Sequence, residues 1–166
     1  MKDNFYAIGY HGTDKKYVQD ILSKIDYSYN KGDKFLGQGL YLWRDSYTRA
    51  VVWAKDTKKF KDLSIIAFKI ECEKENVLNF TSTSWNMEEE LIGIWQEIFN
   101  NLSFGEFLDE MIYNNDMSID IIVIIDLTKT PNTFHIKDGK SETHFACGDV
   151  QICLKNNKPI LHYGEV

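Results

Sequence analysis

The sequence predicts a strand-rich α+β protein built as one domain. Its 166 residues are enough for one hydrophobic core and too few for two comfortable ones. Short segments with the alternation or the apolar run of a strand are interspersed with segments whose apolar residues recur at helical spacing. No internal repeat or low-complexity linker interrupts this series. We therefore predict a single domain over residues 1–166, with helices early and in the middle of the chain.

The first third of the chain contains two strand–helix units. Phe5–Tyr10 predicts a strand, and Asp14 can cap the helix that follows it. The second unit joins a short strand at residues 39–43 to a helix capped by Asp45 or Ser46. The apolar positions of these helices are Tyr17, Val18, Ile21 and Leu22 in the first and Ala50, Val51, Trp53 and Ala54 in the second.

The remaining chain predicts strands on both sides of a helical insertion at about residues 84–115. Thr83 or Ser84 is expected to begin the insertion, and Ser103 to cap a second helix over Phe104–Tyr113. The aromatic residues of the insertion favour core packing against the sheet. The predicted strands are Leu63–Ile70, Val77–Phe80, Ile119–Leu127, Val150–Leu154 and Ile160–Tyr163.

Composition excludes several classes of function. A net charge of −6 argues against broad, sequence-independent binding of nucleic acid. The three cysteines, Cys72, Cys147 and Cys153, form no C-x-x-C pair, so neither a disulfide framework nor a zinc or other metal site is predicted. The chain shows neither a signal-peptide pattern nor an apolar run of membrane-spanning length. We expect a reduced, cytoplasmic protein that does not enter a membrane.

Two glycine-rich motifs carry the chemical information. In GYHGT, residues 9–13, a histidine after a strand can hydrogen-bond a ribose hydroxyl while the bare backbone of Gly12 approaches a flat amide. In GQGLYLW, residues 37–43, the glycines permit positive φ angles, and Tyr41 can lay its ring against an aromatic base. Taken singly, these residues are more typical of a structural histidine, a turn and a core tyrosine.

Jointly, the motifs resemble the ADP-ribosyltransferase superfamily, in particular its poly(ADP-ribose) polymerase-like, diphtheria-toxin-like branch with a His-Tyr-Glu set, and related small bacterial proteins. The matching positions are His11-Gly12-Thr13 for the family's His-Gly-Thr/Ser, Gly37 to Tyr41 for its G-x-G-x-Y, Ala50 for a small residue nine positions further on, and Trp53, displaced by one position from its second aromatic. The resemblance implies two packed, mainly antiparallel β-sheets that form an NAD cleft, with flanking helices.

The same resemblance implies that NAD is the co-substrate and assigns roles in binding it. His11 would contact the adenosine-side ribose, the Gly12 backbone would bind the nicotinamide carboxamide, and Tyr41 would stack on the nicotinamide ring. The other implied cofactor-binding residues are Thr13, Gly39, Ala50 and Trp53.

The third catalytic position departs from the family. A late strand of the family carries a glutamate, and the segment Asp149–Cys153 resembles that strand with Gln151 in the glutamate's place. Glutamine keeps a hydrogen bond but supplies no negative charge to an oxocarbenium-like transition state. Asp149, on the same strand face, and Glu142, in the preceding acceptor loop, are the candidates to restore that charge.

The resemblance therefore implies a mono-ADP-ribosyltransferase with the catalytic set His11, Tyr41 and Gln151. It would act on a protein, nucleic acid or small-molecule acceptor, as a toxin or defence effector for example. Two alternatives remain: an inactive NAD or ADP-ribose binding module, and a structural or interaction domain that shares only the fold. NAD consumption separates the first from the others, and NAD binding separates the second from the third.

Overall fold

A computed structural model describes residues 3–29, 35–81, 86–126, 132–137, 142–147 and 149–166. Its strands are β1 (Asn4–Asp14), β2 (Leu40–Arg44), β3 (Leu63–Glu73), β4 (Val77–Asn79), β5 (Ile121–Asp126), β6 (Asn132–Lys137), β7 (Glu142–Cys147), β8 (Asp149–Leu154) and β9 (Ile160–Glu165). The α-helices are α1 (Val18–Ser23), α2 (Tyr47–Val52), α3 (Asn86–Ile98) and α4 (Phe104–Asp109). Turns of 3₁₀-helix cover Lys15–Tyr17 and Lys74–Asn76, and π-helical turns extend α2 and α4 over Trp53–Thr57 and Glu110–Asn114.

Seven strands form one sheet in the order β4-β5-β8-β2-β1-β3-β9. β4 and β5 run parallel, and the other neighbours in this sheet are antiparallel. β6 and β7 pair with each other as a separate two-stranded ribbon. The predicted α+β class and the mainly antiparallel pairing are confirmed.

The resemblance implied two packed sheets that form a cleft, whereas seven of the strands are hydrogen-bonded into one sheet. A narrow junction in the middle of this sheet connects its two halves. β1 and β2 pair only through Gly9–Arg44 and Tyr10–Trp43, while β1 stays paired with β3 as far as Asp14. The sheet thus consists of two halves, β4-β5-β8-β2 and β1-β3-β9, which part from each other beyond Tyr10.

Side-chain caps begin the early elements and α4 where the sequence predicted. The Asp14 carboxylate accepts a hydrogen bond from the Lys16 amide, and Ser46 Oγ accepts one from the Arg49 amide. Ser103 forms a capping box with Glu106 at the start of α4. The helix predicted over Phe104–Tyr113 is α-helical to Asp109 and then widens into the π-turn.

The sheet is covered on both faces. Strand alternation directs one set of apolar residues, such as Phe68 and Ile152, toward Val18 of α1. The opposite set, such as Ile122 and Cys153, packs against Leu91 of α3 and against α4. On this second face α2 lies over the junction, where Ala50 packs with Trp43 and Ile65.

Gly12 allows α2 to approach β1 closely. A Cβ atom at this position would lie 2.7 Å from the Ala50 carbonyl oxygen and 2.8 Å from the Ala54 Cβ. We expect Gly12→Ala to lower the free energy of unfolding by about 1–3 kcal/mol, because the backbone oxygen cannot move aside without shifting the helix. Urea unfolding measures the effect.

Gly93→Ala is the matched control, because a Cβ at this helical position meets nothing within 4 Å. Since alanine favours the helix over glycine, this variant should be about 0.5–1 kcal/mol more stable than the parent. Equal stability of the two variants would contradict the packing argument.

The sequence did not predict β6 and β7. The residues between Ile119–Leu127 and Val150–Leu154 were expected to form a loop, and the backbone there forms the ribbon instead. The predicted helix-starting residues Thr83 and Ser84 lie outside the described residues. Within the ranges that the structure describes, no helix is both long and apolar enough to cross a membrane.

Candidate functional site

The two glycine-rich motifs meet where β1 and β2 part. His11 is the first residue of β1 beyond the junction, and its Nδ1 atom lies 3.0 Å from the carbonyl oxygen of Tyr41 on β2. Because a carbonyl only accepts, Nδ1 carries the proton and donates it. A side-chain hydrogen bond therefore links the strands where their backbone ladder ends.

The His11 ring is held in its neutral form. The residue retains some exposed surface, yet protein atoms surround the ring closely, and this burial lowers its pKa below the ordinary 6.5. The hydrogen bond to Tyr41 opposes that shift without cancelling it. With Nδ1 protonated and the ring neutral, Nε2 is a hydrogen-bond acceptor, which suits a hydroxyl group of a ligand.

The lowered pKa makes His11 a source of acid sensitivity. The unfolded chain binds a proton near pH 6.5 while the folded chain resists it, so this contribution to stability is complete above about pH 6.5 and declines below it. We expect the free energy of unfolding to fall more between pH 7.5 and 5.5 in the parent than in His11→Gln. Urea unfolding at the two pH values tests this, and parallel losses in both proteins would contradict it.

Tyr41 is anchored in the G-x-G turn through its hydroxyl group. The hydroxyl donates to the Gly37 carbonyl at 2.8 Å and accepts from the Leu36 amide at 3.1 Å. The ring lies nearly parallel to that of Phe35, with centroids 6.5 Å apart. Gly37 and Gly39 have φ angles of 75° and 155°, so the predicted use of both glycines for positive φ is confirmed.

Gln151 lies on the strand beside Tyr41. On one face of the sheet, Gln151 pairs directly with Trp43 of β2, and Tyr41 pairs directly with Cys153 of β8. Gln151 and Tyr41 are therefore diagonal neighbours, a relation that puts their Cβ atoms within about 7–8 Å. By strand alternation the His11 side chain projects from the opposite face of β1, so His11 reaches this group through the Tyr41 backbone.

Asp149, a candidate for the missing charge, is paired with a cation. Arg49 Nε lies 2.7 Å from Asp149 Oδ2, although the N–H bond does not point at the carboxylate, so the contact is an ion pair and not an aligned hydrogen bond. Arg49 Nη2 also lies 3.8 Å from Asp126 Oδ2, and the guanidinium covers the Trp43 ring at 4.6 Å. Arg49 thus offsets the charge that Asp149 would bring to the site.

Three of the residues assigned to NAD by resemblance are buried or belong to a hydrophobic cluster. Ala50 is fully buried beneath Gly12, and Thr13 is 5% exposed. Trp53 packs with Trp43 and Ile65, and the Lys58 ammonium group lies over its ring. Tyr41 instead belongs to the hydrophobic cluster that includes Leu36 and Phe107. The structure therefore puts the two rings of the expected nicotinamide sandwich in different hydrophobic clusters.

The second candidate for the missing charge, Glu142, was expected in a loop. Its backbone instead begins β7, opposite Lys137 of β6. The side chains of both residues lie outside what the structure describes.

Sequence reasoning missed Arg49, which pairs with both Asp149 and Asp126, and Trp43, whose ring the guanidinium covers. An arginine on a short helix is usually a solvated residue, and only tertiary packing brings Arg49 to two carboxylates. An open groove lined by Tyr6, Ile8, Tyr10, Tyr47, Lys69 and His162 lies elsewhere on the β1-β3-β9 half and includes none of the predicted site residues. Among the residues described, no three His, Cys, Asp or Glu side chains converge in an arrangement that would hold a metal ion.

The chain is similar to an uncharacterized protein of Methanocaldococcus jannaschii. The two are 24% identical over 173 aligned positions, which cover 89% of this chain and 81% of the relative. No family model and no solved structure matches the chain.

Proposed function

We propose that the protein is an NAD-dependent mono-ADP-ribosyltransferase, which transfers ADP-ribose from NAD to an acceptor and releases nicotinamide. One observation carries the proposal: the hydrogen bond from His11 to the Tyr41 carbonyl, which joins the HGT and G-x-G-x-Y motifs where the sheet parts. His11 and Tyr41 lie 30 residues apart in the chain, and their contact puts the two motifs at the same place in the sheet. Their meeting supports a common ligand.

The proposed chemistry depends mainly on positioning. The bond between nicotinamide and C1′ of the ribose breaks with its electron pair on the departing nitrogen, and the acceptor nucleophile bonds to C1′ and loses a proton. His11 Nε2 would accept from a ribose hydroxyl, and the Tyr41 ring would support the nicotinamide. The Gln151 carboxamide would bind the 2′-hydroxyl as positive charge develops nearby.

The electrostatics of β8 favour a single transfer over chain elongation. Gln151 is neutral, and Arg49 offsets the charge of Asp149. Little negative charge is therefore available from these residues to stabilise the oxocarbenium-like state. The same feature favours a second candidate function, that of a non-catalytic NAD or ADP-ribose binding module.

Incubation of the full chain with isotope-labelled NAD distinguishes these functions. Chromatography measures nicotinamide release, and mass spectrometry searches proteins, nucleic acids and small molecules of an added lysate for labelled ADP-ribose. The proposal requires nicotinamide release above that of a protein-free control, with label on an acceptor. Calorimetric binding of NAD without release would identify the binding module. Neither binding nor release would leave a domain with a structural or interaction role.

A further inference from the structure

The turn that anchors Tyr41 is bonded to an ion pair between the buried Lys155 and the partly exposed Asp109. The Lys155 side chain is 0% exposed, and its Nζ atom donates to the Leu36 carbonyl at 2.6 Å and to the Gln38 carbonyl at 2.7 Å. The third contact of this ammonium group is Asp109 Oδ1 at 3.3 Å. All three donors of the lysine are thus directed at the turn or at Asp109.

Asp109 approaches the same turn from the helical insertion. Its two carboxylate oxygens lie 3.0 Å and 2.8 Å from the Gln38 amide nitrogen. A Cβ on Gly37 would collide with Asp109 Oδ1 and lie 2.5 Å from the Gly105 carbonyl oxygen. The carboxylate therefore occupies the space that only a glycine leaves open, at the residue whose φ is positive.

We propose that Lys155 and Asp109 are positioning residues that hold the Leu36–Gln38 turn, and through it Tyr41, in the conformation that binds NAD. This inference rests on the proposed function. We call the two residues the turn clamp. Lys155 follows β8, the strand of Gln151, and Asp109 ends α4, so the clamp connects the strand and the insertion to the G-x-G motif.

The arrangement favours a positioning role over simple stabilisation. An ion pair that is mostly buried gains little stability compared with apolar residues of the same volume, because its charges lose most of their hydration. What this pair does provide is a directed bond to each of three backbone groups: the Leu36 carbonyl, the Gln38 carbonyl and the Gln38 amide. Tyr41 then binds two further groups of the turn, the Leu36 amide and the Gly37 carbonyl.

Amide hydrogen exchange of the full chain, followed by NMR, measures how firmly the clamp holds the turn, and it needs no ligand. The Gln38 amide reports the Asp109 contact, and the Leu36 amide reports the Tyr41 hydroxyl. We expect Lys155→Met to accelerate exchange at both amides at least tenfold, although neither touches Lys155. Asp109→Ala should do the same, while Asp109→Asn, which keeps an acceptor oxygen, should restore part of the protection at Gln38.

Lys158→Met is the matched control. Lys158 is an exposed lysine near Lys155 that pairs with Asp120 at 3.5 Å, so its removal should leave the exchange of the turn unchanged. The β1–β3 amides, such as that of Ile66, are the internal control for a general loss of stability. If Lys155→Met does not fold, the two Asp109 variants decide the matter alone.

The second readout is the dissociation constant for NAD, measured by calorimetry on the same proteins. We expect an increase of at least tenfold in Lys155→Met and Asp109→Ala, and no change in Lys158→Met. The inference is overturned if the turn amides of the clamp variants exchange as in the parent, or if their exchange accelerates while NAD affinity stays the same. A parent that binds no NAD overturns the proposed function, and the exchange rates then still decide whether the clamp holds the turn.

Discussion

Replacement of Arg49 by methionine should lower the free energy of unfolding by about 3 kcal/mol. Asp126 and Asp149 are direct cross-strand partners on β5 and β8, and like charges at such positions repel each other. Arg49 lies between them with its side chain 10% exposed, and that of Asp126 is 7% exposed. Removing one partner of a buried charge group costs about 3–5 kcal/mol, and the 44% exposure of Asp149 puts this case at the lower end.

Arg44→Met is the control for this prediction. Arg44 also pairs with an aspartate, Asp45 at 3.2 Å, but both side chains are reached by solvent. Solvent screening limits the stabilisation from such an exposed ion pair to about 1 kcal/mol or less. Arg49→Lys should give an intermediate loss, because it keeps the charge but not the flat contact with Trp43. Urea unfolding of the three variants tests the order, and equal losses in Arg49→Met and Arg44→Met would contradict it.

The second large effect is expected at Gln151. If its carboxamide binds the 2′-hydroxyl more strongly as the nicotinamide bond breaks, Gln151→Ala should lower the rate of NAD turnover about tenfold or more. NAD affinity should change by less than about threefold, because little of this interaction exists in the ground state. Gln151→Glu should raise the rate if missing negative charge limits it, and Arg49 is close enough to Asp149 to reduce repulsion of the new carboxylate.

Local chemistry explains why much of the fold can be predicted from the sequence. Ser103 was predicted to cap α4, and it does so through a capping box with Glu106. The alternating or continuous apolar runs in β3, β5 and β8 predict strands because each has a face to bury. β6 and β7 escaped prediction because their short segments, NTFHIK and ETHFAC, contain few apolar residues and so show no apolar run of the kind that predicts a strand.

The candidate site was predictable only where it depends on backbone geometry. Positive φ angles at Gly37 and Gly39 follow from residue type, since a side chain would be strained there. The Lys155–Asp109 pair joins residues that local patterns leave unrelated, and tertiary packing alone sets it. The same holds for Arg49, whose contacts with Asp126 and Asp149 exist only after β5 and β8 have paired.

Nicotinamide release at saturating NAD, compared between the parent and Gln151→Ala, tests the central claim most directly. The parent should release nicotinamide faster than a protein-free control, and Gln151→Ala should do so about tenfold more slowly at nearly unchanged NAD affinity. Far-UV circular dichroism confirms that both proteins are folded. A folded parent that binds no NAD and releases no nicotinamide would contradict the claim that the HGT and G-x-G-x-Y motifs form an NAD site.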